Sequence, residues 1–320
     1  MAEYKGIHGT KVQDYTTDPA NPIKGQVWYN ETANTIRVEA VTTAGSWATG
    51  NSLNTARTGI AGAGTQTAAL GFGGTPPVSA LTEAYNGTSW TEVNDLNTAR
   101  TGLGGTGTQT SALGFGGAGN LALTESWNGT SWTEVGDLNT GRDQLASAGA
   151  DNTSALGFGG QGPLTGKTES WNGSSWTEVG DLNEGREALG GTGISTAALA
   201  IGGYADVPIN APTALTESWN GSSWTEVGDL NTARIRLSAG GTTTSALAFG
   251  GGPPDTAVTE EWNGSAWTEV ADLSTARNFL GGAGTTTAAL AFGGNDGSPT
   301  AATEEWNGAG SPAIRTITTD

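Results

Sequence analysis

The stretch "SWNGTSWTEVGDLNTGR", from Ser126 to Arg142, returns with few changes at Ser170 and Ser218, and looser copies begin at Ala84 and Glu261. A chain that writes one sentence this often must fold as stacked copies, because so short a unit cannot bury its apolar face alone. Anchoring on arginine gives Arg57, Arg100, Arg142, Arg186, Arg234 and Arg277, with steps of 43, 42, 44, 48 and 43 residues. A tryptophan stands ten residues before each (Trp47, Trp90, Trp132, Trp176, Trp224, Trp267). A Gly-Gly pair closes an apolar run in every unit, beginning at Gly73, Gly116, Gly159, Gly202, Gly250 and Gly293. A second aromatic precedes each Asn-Gly, from Tyr85 and Trp127 through to Trp306.

Each unit reads as four short strands. After Arg100 come "TGLGGTGTQT", "SALGFGG", "ALTESWNG" and "TSWTEV". Asn-Gly between the last two is a hairpin signal, since both residues tolerate the positive φ of a primed turn. A loop of even length then puts Trp127 and Trp132 on one face of the sheet, where the two rings can fill the space between adjacent sheets. The small residues Gly104, Gly105 and Gly107 suit a first strand crowded against its counterparts at an axis. A period of 42 to 48 residues with four strands per unit predicts an all-β, six-bladed β-propeller.

The order arginine, apolar strand, Gly-Gly, aromatic-Asn, tryptophan resembles the kelch repeat over roughly residues 57–308. It departs from that family in its Asn-Gly turn and in tryptophan where kelch repeats usually carry tyrosine. The last unit runs to "TEEWNG" at Thr303–Gly308 without a following "SWTEV", while an orphan "GSWATG" surrounds Trp47. The simplest closure lends this N-terminal strand to the last blade. A seventh blade is the rival, because "GQVWYNETANTIRVEA" (Gly25–Ala40) also reads as a hairpin, but it lacks inner strands and a Gly-Gly pair. The expected division is an N-terminal arm and hairpin over 1–45, the propeller over 46–308, and a C-terminal strand or tail over 309–320. Residues 1–24 read as an extended arm, and "AIRTITT" near the C-terminus is a candidate partner for the hairpin.

Composition narrows the function classes. Thirty-one acidic against 13 basic residues leave a net charge of −18, with no basic stripe for nucleic acid. No cysteine means no disulfide framework and no thiolate metal site. The first residues lack the apolar core of a signal peptide, and no apolar run could span a bilayer, so synthesis in a cytoplasm without membrane insertion is expected. The segment "DPANPIKGQ" and its hairpin, over roughly residues 18–57, resemble a segment that precedes repeat regions in tail-fibre-like proteins of marine bacteriophages. That resemblance implies a virion protein, with residues 1–45 holding other virion proteins; homo-oligomerisation is open to it.

Catalysis finds few tools. His8 is the only histidine and cannot build a triad or a zinc cluster, so the copper-radical oxidase chemistry of some kelch-type enzymes is unsupported. "GQGPLTGKT" misses the phosphate-loop pattern at Gln161 and leads into a strand. Carboxylates such as Glu125, Glu134 and Asp137 obey the repeat, whereas a glycosidase pair needs asymmetric environments; they read as a solvated acidic face with weak ion pairs. The expectation is no enzyme, no cofactor and no dedicated metal site. The six arginines form an expected ring at one channel mouth, either binding an anion or latched to a carboxylate or carbonyl of a neighbouring blade. The latch is favoured because the guanidinium fork matches carboxylates.

Within this one chain the link from "SWTEV" to arginine hardly changes, whereas the link from Gly-Gly to "TE" changes in every unit. Six variable loops on one face are the layout of a recognition surface. The expected ligand-binding residues are Tyr204, Asp206 and Asn210 on the longest loop, with Asn120, Gln161 and Asn295 on others, amides and an aromatic suited to a host-surface glycan. The reading is a tail fibre or surface decoration of a phage. The alternative is an intracellular kelch-type protein-interaction module without enzymatic activity.

Overall fold

A computed structural model describes residues 12–19, 26–41, 44–162, 166–205, 210–308 and 312–317. The described chain is all-β, with no helix, and consists of small sheets of three or four strands. It divides into two compact units, one of residues Met1–Gly45 with Gly308–Asp320 and one of Ser46–Asn307.

The smaller unit holds a sheet of Gln13–Tyr15, Val27–Asn30, Thr35–Val41 and Pro312–Ile317 in that order. Its first pair is parallel and the others antiparallel. The strand Gln13–Tyr15 lies where an irregular arm was expected; without periodicity of its own, it follows the register of its neighbour, Gln13 facing Trp28. Trp28 is fully buried and donates from Nε1 to Asp18 (3.0 Å), which also accepts from Asn30 Nδ2 (2.7 Å). These donors, Asn30 first, hold the Asp18 carboxyl below its ordinary value.

The larger unit contains six four-stranded antiparallel sheets and a small three-stranded one. The second sheet is representative: Gly104–Thr108, Ser111–Phe115, Thr124–Trp127 and Trp132–Glu134 lie side by side in chain order. The first, third, fourth and fifth sheets lie within 61–93, 146–178, 190–226 and 238–269. The sixth joins Gly281–Thr285, Ala288–Phe292 and Thr303–Asn307 to the N-terminal strand Ser46–Gly50, with Trp306 facing Trp47. The first strands adjoin one another in cyclic order, the sixth against the first.

The core lies between sheets. Six apolar clusters each join two consecutive sheets, and the cluster holding Leu290, Phe292, Tyr85 and Trp90 joins the sixth to the first. The fourth-strand tryptophan is the peg. Trp132 Nε1 donates to Thr82 Oγ1 of the preceding sheet at 3.0 Å, and its ring lies 4.8 Å from Phe72. All six such tryptophans repeat the bond, Trp90 to Thr303 and Trp47 to Thr259 included. A buried indole N–H needs a partner, so a threonine at the start of each "TE" is a requirement of the packing.

Two local choices make this possible. In the hairpin, Trp127 and Trp132 pair directly, 5.4 Å between centroids. The four residues between them are turned by Asn128, whose Oδ1 accepts from the N–H groups of Thr130 and Ser131, both at 2.9 Å. Only Gly129 adopts a positive φ there, so Asn-Gly does not supply two left-handed central residues as in a type I′ turn, and the Asn128 side chain caps the turn as an Asx residue. On the first strands, a β-carbon at Gly191 would stand 2.8 Å from the Ser147 carbonyl oxygen, so glycine sets how closely the strands converge.

Trp176 packs 4.7 Å from Phe115 and donates to Thr124. Replacing it with alanine is expected to lower stability by about 3–5 kcal/mol, as for other buried aromatic truncations. Equilibrium unfolding in denaturant measures it, and a change under about 1 kcal/mol would contradict the wedge role, being the size expected of a surface substitution.

Candidate functional site

The six expected arginines are buried in the wall of the larger unit and do not line an open mouth. Arg100 is 1 % exposed; its Nη1 donates to the carbonyls of Gly116 (3.1 Å) and Leu123 (2.8 Å), and its Nη2 to Glu125 Oε1 (2.9 Å). Glu125 Oε2 accepts from the Asn97 backbone N–H (2.7 Å) and from Asn97 Nδ2 (2.8 Å). Equivalent ion pairs join Arg57 to Glu83, Arg142 to Glu169, Arg186 to Glu217, Arg234 to Glu260 and Arg277 to Glu304, between 2.8 and 3.2 Å. Burial pulls each guanidinium pKa down, and the paired glutamate works against that shift.

Two expectations are corrected here. Glu125 and its counterparts do not belong to a solvated acidic face; the guanidinium and the asparagine linker take up both oxygens of a carboxylate only 2 % exposed. Glu134 is exposed as expected, and Asp137 accepts from the Thr124 N–H at 3.1 Å. The carboxylate partner also lies in the sheet that the arginine itself leads into, not in a neighbouring one. The link to the neighbour runs through the backbone: the Arg100 carbonyl accepts from Gly74 N–H of the preceding sheet at 2.8 Å. The same bond recurs six times and ends with Gly294 donating to Arg57.

Past each arginine the chain turns to the axis. The second residue after it (Gly59, Gly102, Gln144, Ala188, Arg236, Phe279) donates its N–H to the carbonyl of its counterpart in the preceding unit. The bonds measure 2.6 to 3.0 Å and close on themselves, Gly59 donating to Phe279. All six residues hold a positive φ, from 49° to 66°. Below this peptide ring, six aliphatic side chains from Ile60 to Leu280 form a buried collar. The first strands beyond it enclose an axial cavity of about 310 Å³.

The variable loops start around the same ring. The residue just after each arginine pairs by backbone with the first residues of its sheet's variable loop: Thr58 with Thr75, Thr101 with Ala118, Asp143 with Gln161, Glu187 with Tyr204, Ile235 with Gly252 and Asn278 with Asn295. All six loops therefore leave from one face.

On that face the expected residues are placed unevenly. The Tyr204 hydroxyl donates to the Asn210 carbonyl at 3.0 Å, so these two are engaged within their own loop. Asn120 is exposed at a left-handed turn position, φ 55°, and Asn295 Oδ1 accepts from the Gly297 N–H at 2.9 Å. Gln161 reaches inward and accepts from Gln144 Nε2 at 3.2 Å. Asp206 and His8 lie outside the described residues.

Sequence reading missed the two positions that follow each arginine. They read Thr-Gly, Thr-Gly, Asp-Gln, Glu-Ala, Ile-Arg and Asn-Phe, a variability overlooked because the linker before them is constant. These residues surround the axis. Arg236 lies over the Phe279 ring at 4.4 Å from its centroid. A hollow of about 230 Å³ is lined by Thr58, Thr101, Asp143, Gln144 and Phe279 with neighbouring small residues. Among the described residues, no group of three or more His, Cys, Asp or Glu could hold a metal ion, and no helix is long and apolar enough to cross a membrane.

No family model matches the chain, and no curated protein is significantly similar to it.

Burial holds the Asp143 carboxyl above its ordinary value of 3.8. A folded-state pKa raised in this way gives a contribution that is complete below the unfolded pKa and lost as pH rises through the folded value. Asp143→Thr, which copies the first two units, is therefore expected to unfold at higher temperature than the parent near pH 7. That advantage should vanish below about pH 3.8. Melting curves of both proteins across that range check it, and a difference independent of pH would contradict the burial of this carboxylate.

Proposed function

We propose that the six sheets are the blades of a kelch-like six-bladed β-propeller, closed by the strand Ser46–Gly50, and that the propeller is a recognition head without catalytic activity. The cyclic order of first strands, the six inter-sheet clusters and the closed ring of peptide bonds support the propeller reading. The observation that carries recognition is where the copies differ. Buried positions repeat almost unchanged from sheet to sheet, while the loops after Gly-Gly differ in every unit and the two residues after each arginine, Thr-Gly in the first two units, differ in the other four. A rigid scaffold with its variation gathered on one face is built to meet a ligand there.

The proposed setting is a phage particle, as a tail fibre or surface decoration with the face turned to a host-surface glycan. Residues 1–45 are the proposed attachment to other virion proteins. Amides and hydroxyls on the face, with an aromatic ring at its centre, fit a hydroxyl-rich ligand. The charge of −18 disfavours an anionic polysaccharide.

Replacing residues 204–214 by a short neutral loop tests this. Particles carrying the variant should contain it at parental levels, by immunoblot and by electron microscopy with antibody against this chain. Adsorption to host cells is expected to fall. Unchanged adsorption with the loop gone, or absence of the chain from particles, would overturn the reading.

A further inference from the structure

The backbone at the peptide ring is left-handed in all six units, a conformation natural to glycine and strained for other residues. Gly59 and Gly102 meet that demand without cost. Gln144, Ala188, Arg236 and Phe279 hold φ values of 49°, 54°, 59° and 51° at the equivalent positions. Strain accepted at one site, with the unstrained solution present twice in the same chain, points to what the side chains do there.

Their arrangement divides the face. Around the ring the order is Phe279, Gly59, Gly102, Gln144, Ala188 and Arg236. The two glycines leave one side of the axis bare, and the hollow lies there, bounded by Phe279 at one end and by Asp143 and Gln144 at the other. Arg236 packs over the Phe279 ring and does not line the hollow, so it backs the aromatic wall. Thr58 Oγ1 and Asp143 Oδ1 are buried at the rim and have no hydrogen-bond partner among the described residues. Both atoms are closed off from the open hollow, so they mark desolvation at its rim, and Gln144 with the outer part of Asp143 is what a ligand's polar groups can meet. Gln144 is held by Gln161, which fixes its amide beside Asp143.

Resting on the glycan-recognition reading above, we infer that this hollow is a subsite for a single uncharged pyranose unit, with Phe279 against its C–H face and Asp143 and Gln144 meeting its hydroxyls. A volume of about 230 Å³ is below the ~300–1,000 Å³ of pockets for drug-sized ligands and suits one ring. The Asp143 carboxylate accepts from hydroxyl donors and repels a sugar carboxylate, while the Arg236 guanidinium is turned to Phe279. The longer loops around the hollow would then hold the rest of the glycan.

Ligand-observed NMR on the full chain, with methyl glucoside, methyl mannoside, methyl galactoside, N-acetylglucosamine and glucuronic acid as separate probes, tests the assignment. The parent should bind at least one neutral probe and not glucuronic acid. Asp143→Thr and Phe279→Gly should each weaken that binding by about tenfold or more. Both variants copy residues already present in the first two units and ease a cost there, so their melting temperatures should be no lower than the parent's. Binding that survives both substitutions, or a parent that binds none of the neutral probes, overturns the subsite. Either result leaves the broader reading standing if adsorption still depends on residues 204–214. Loss of that dependence alongside intact sugar binding would sink the broader reading and keep the subsite.

Discussion

The fold of the larger unit depends on a buried guanidinium. Each of the six arginines is taken out of water, which costs several kcal/mol per ion before any partner is found. The partners are two carbonyls and a glutamate oxygen on the sheet it enters, with the other glutamate oxygen held by the linker that carries it. Its own carbonyl accepts from the Gly-Gly pair of the sheet before. One residue thus fixes the exit of one sheet, the linker and the entry of the next. The residual cost is visible in Nε, which among the described residues lacks a partner in Arg57, Arg100, Arg142, Arg234 and Arg277.

Once this clamp is fixed, the rest follows with little freedom. The turn after the arginine must point the chain at the axis in a left-handed conformation, and six such turns satisfy one another's peptide groups in a closed ring. The tryptophan pegs close the outside, each indole finding the threonine beside a clamped glutamate on the preceding sheet. Because backbone and buried side chains meet these demands, the two residues after each arginine carry no packing duty common to all units. In the proposed propeller the first of them is free to vary, the second varies at the cost of backbone strain wherever it is not glycine, and both lie at the centre of the face from which the variable loops also rise.

Much of this was legible in the sequence. The spacing of Arg, Trp and Gly-Gly anticipated the six four-stranded sheets of the larger unit, though not its three-stranded one, and the orphan strand at Trp47 matched the missing strand beside Trp306. Other features were hidden for physical reasons. Glu125 reads as surface in a sequence because a carboxylate in a short polar strand normally is; its burial depends on an arginine 25 residues earlier and an asparagine 28 earlier, a pairing that only the fold supplies. Gln13–Tyr15 lacks a period and takes its strand from its neighbour. The loop residues Tyr204 and Asn210 were chosen for chemistry suited to glycans, but length and composition could not reveal that they bond each other. The axial residues could have been found by aligning the units one against another past the arginine, where Gly59 and Gly102 give way to Gln144 and Phe279.

The clamp is tested most directly by a double-mutant cycle on Arg142 and Glu169, a pair 3.1 Å apart with both side chains 0 % exposed. Arg142→Met and Glu169→Leu should each lower the free energy of unfolding by about 3–5 kcal/mol, because each leaves a buried charge alone. The double variant should lose less than the sum by roughly 1.5–3 kcal/mol, the coupling expected of two groups in one buried network. Single losses under about 1 kcal/mol that simply add would make this pair no more than a surface ion pair, and would contradict the account.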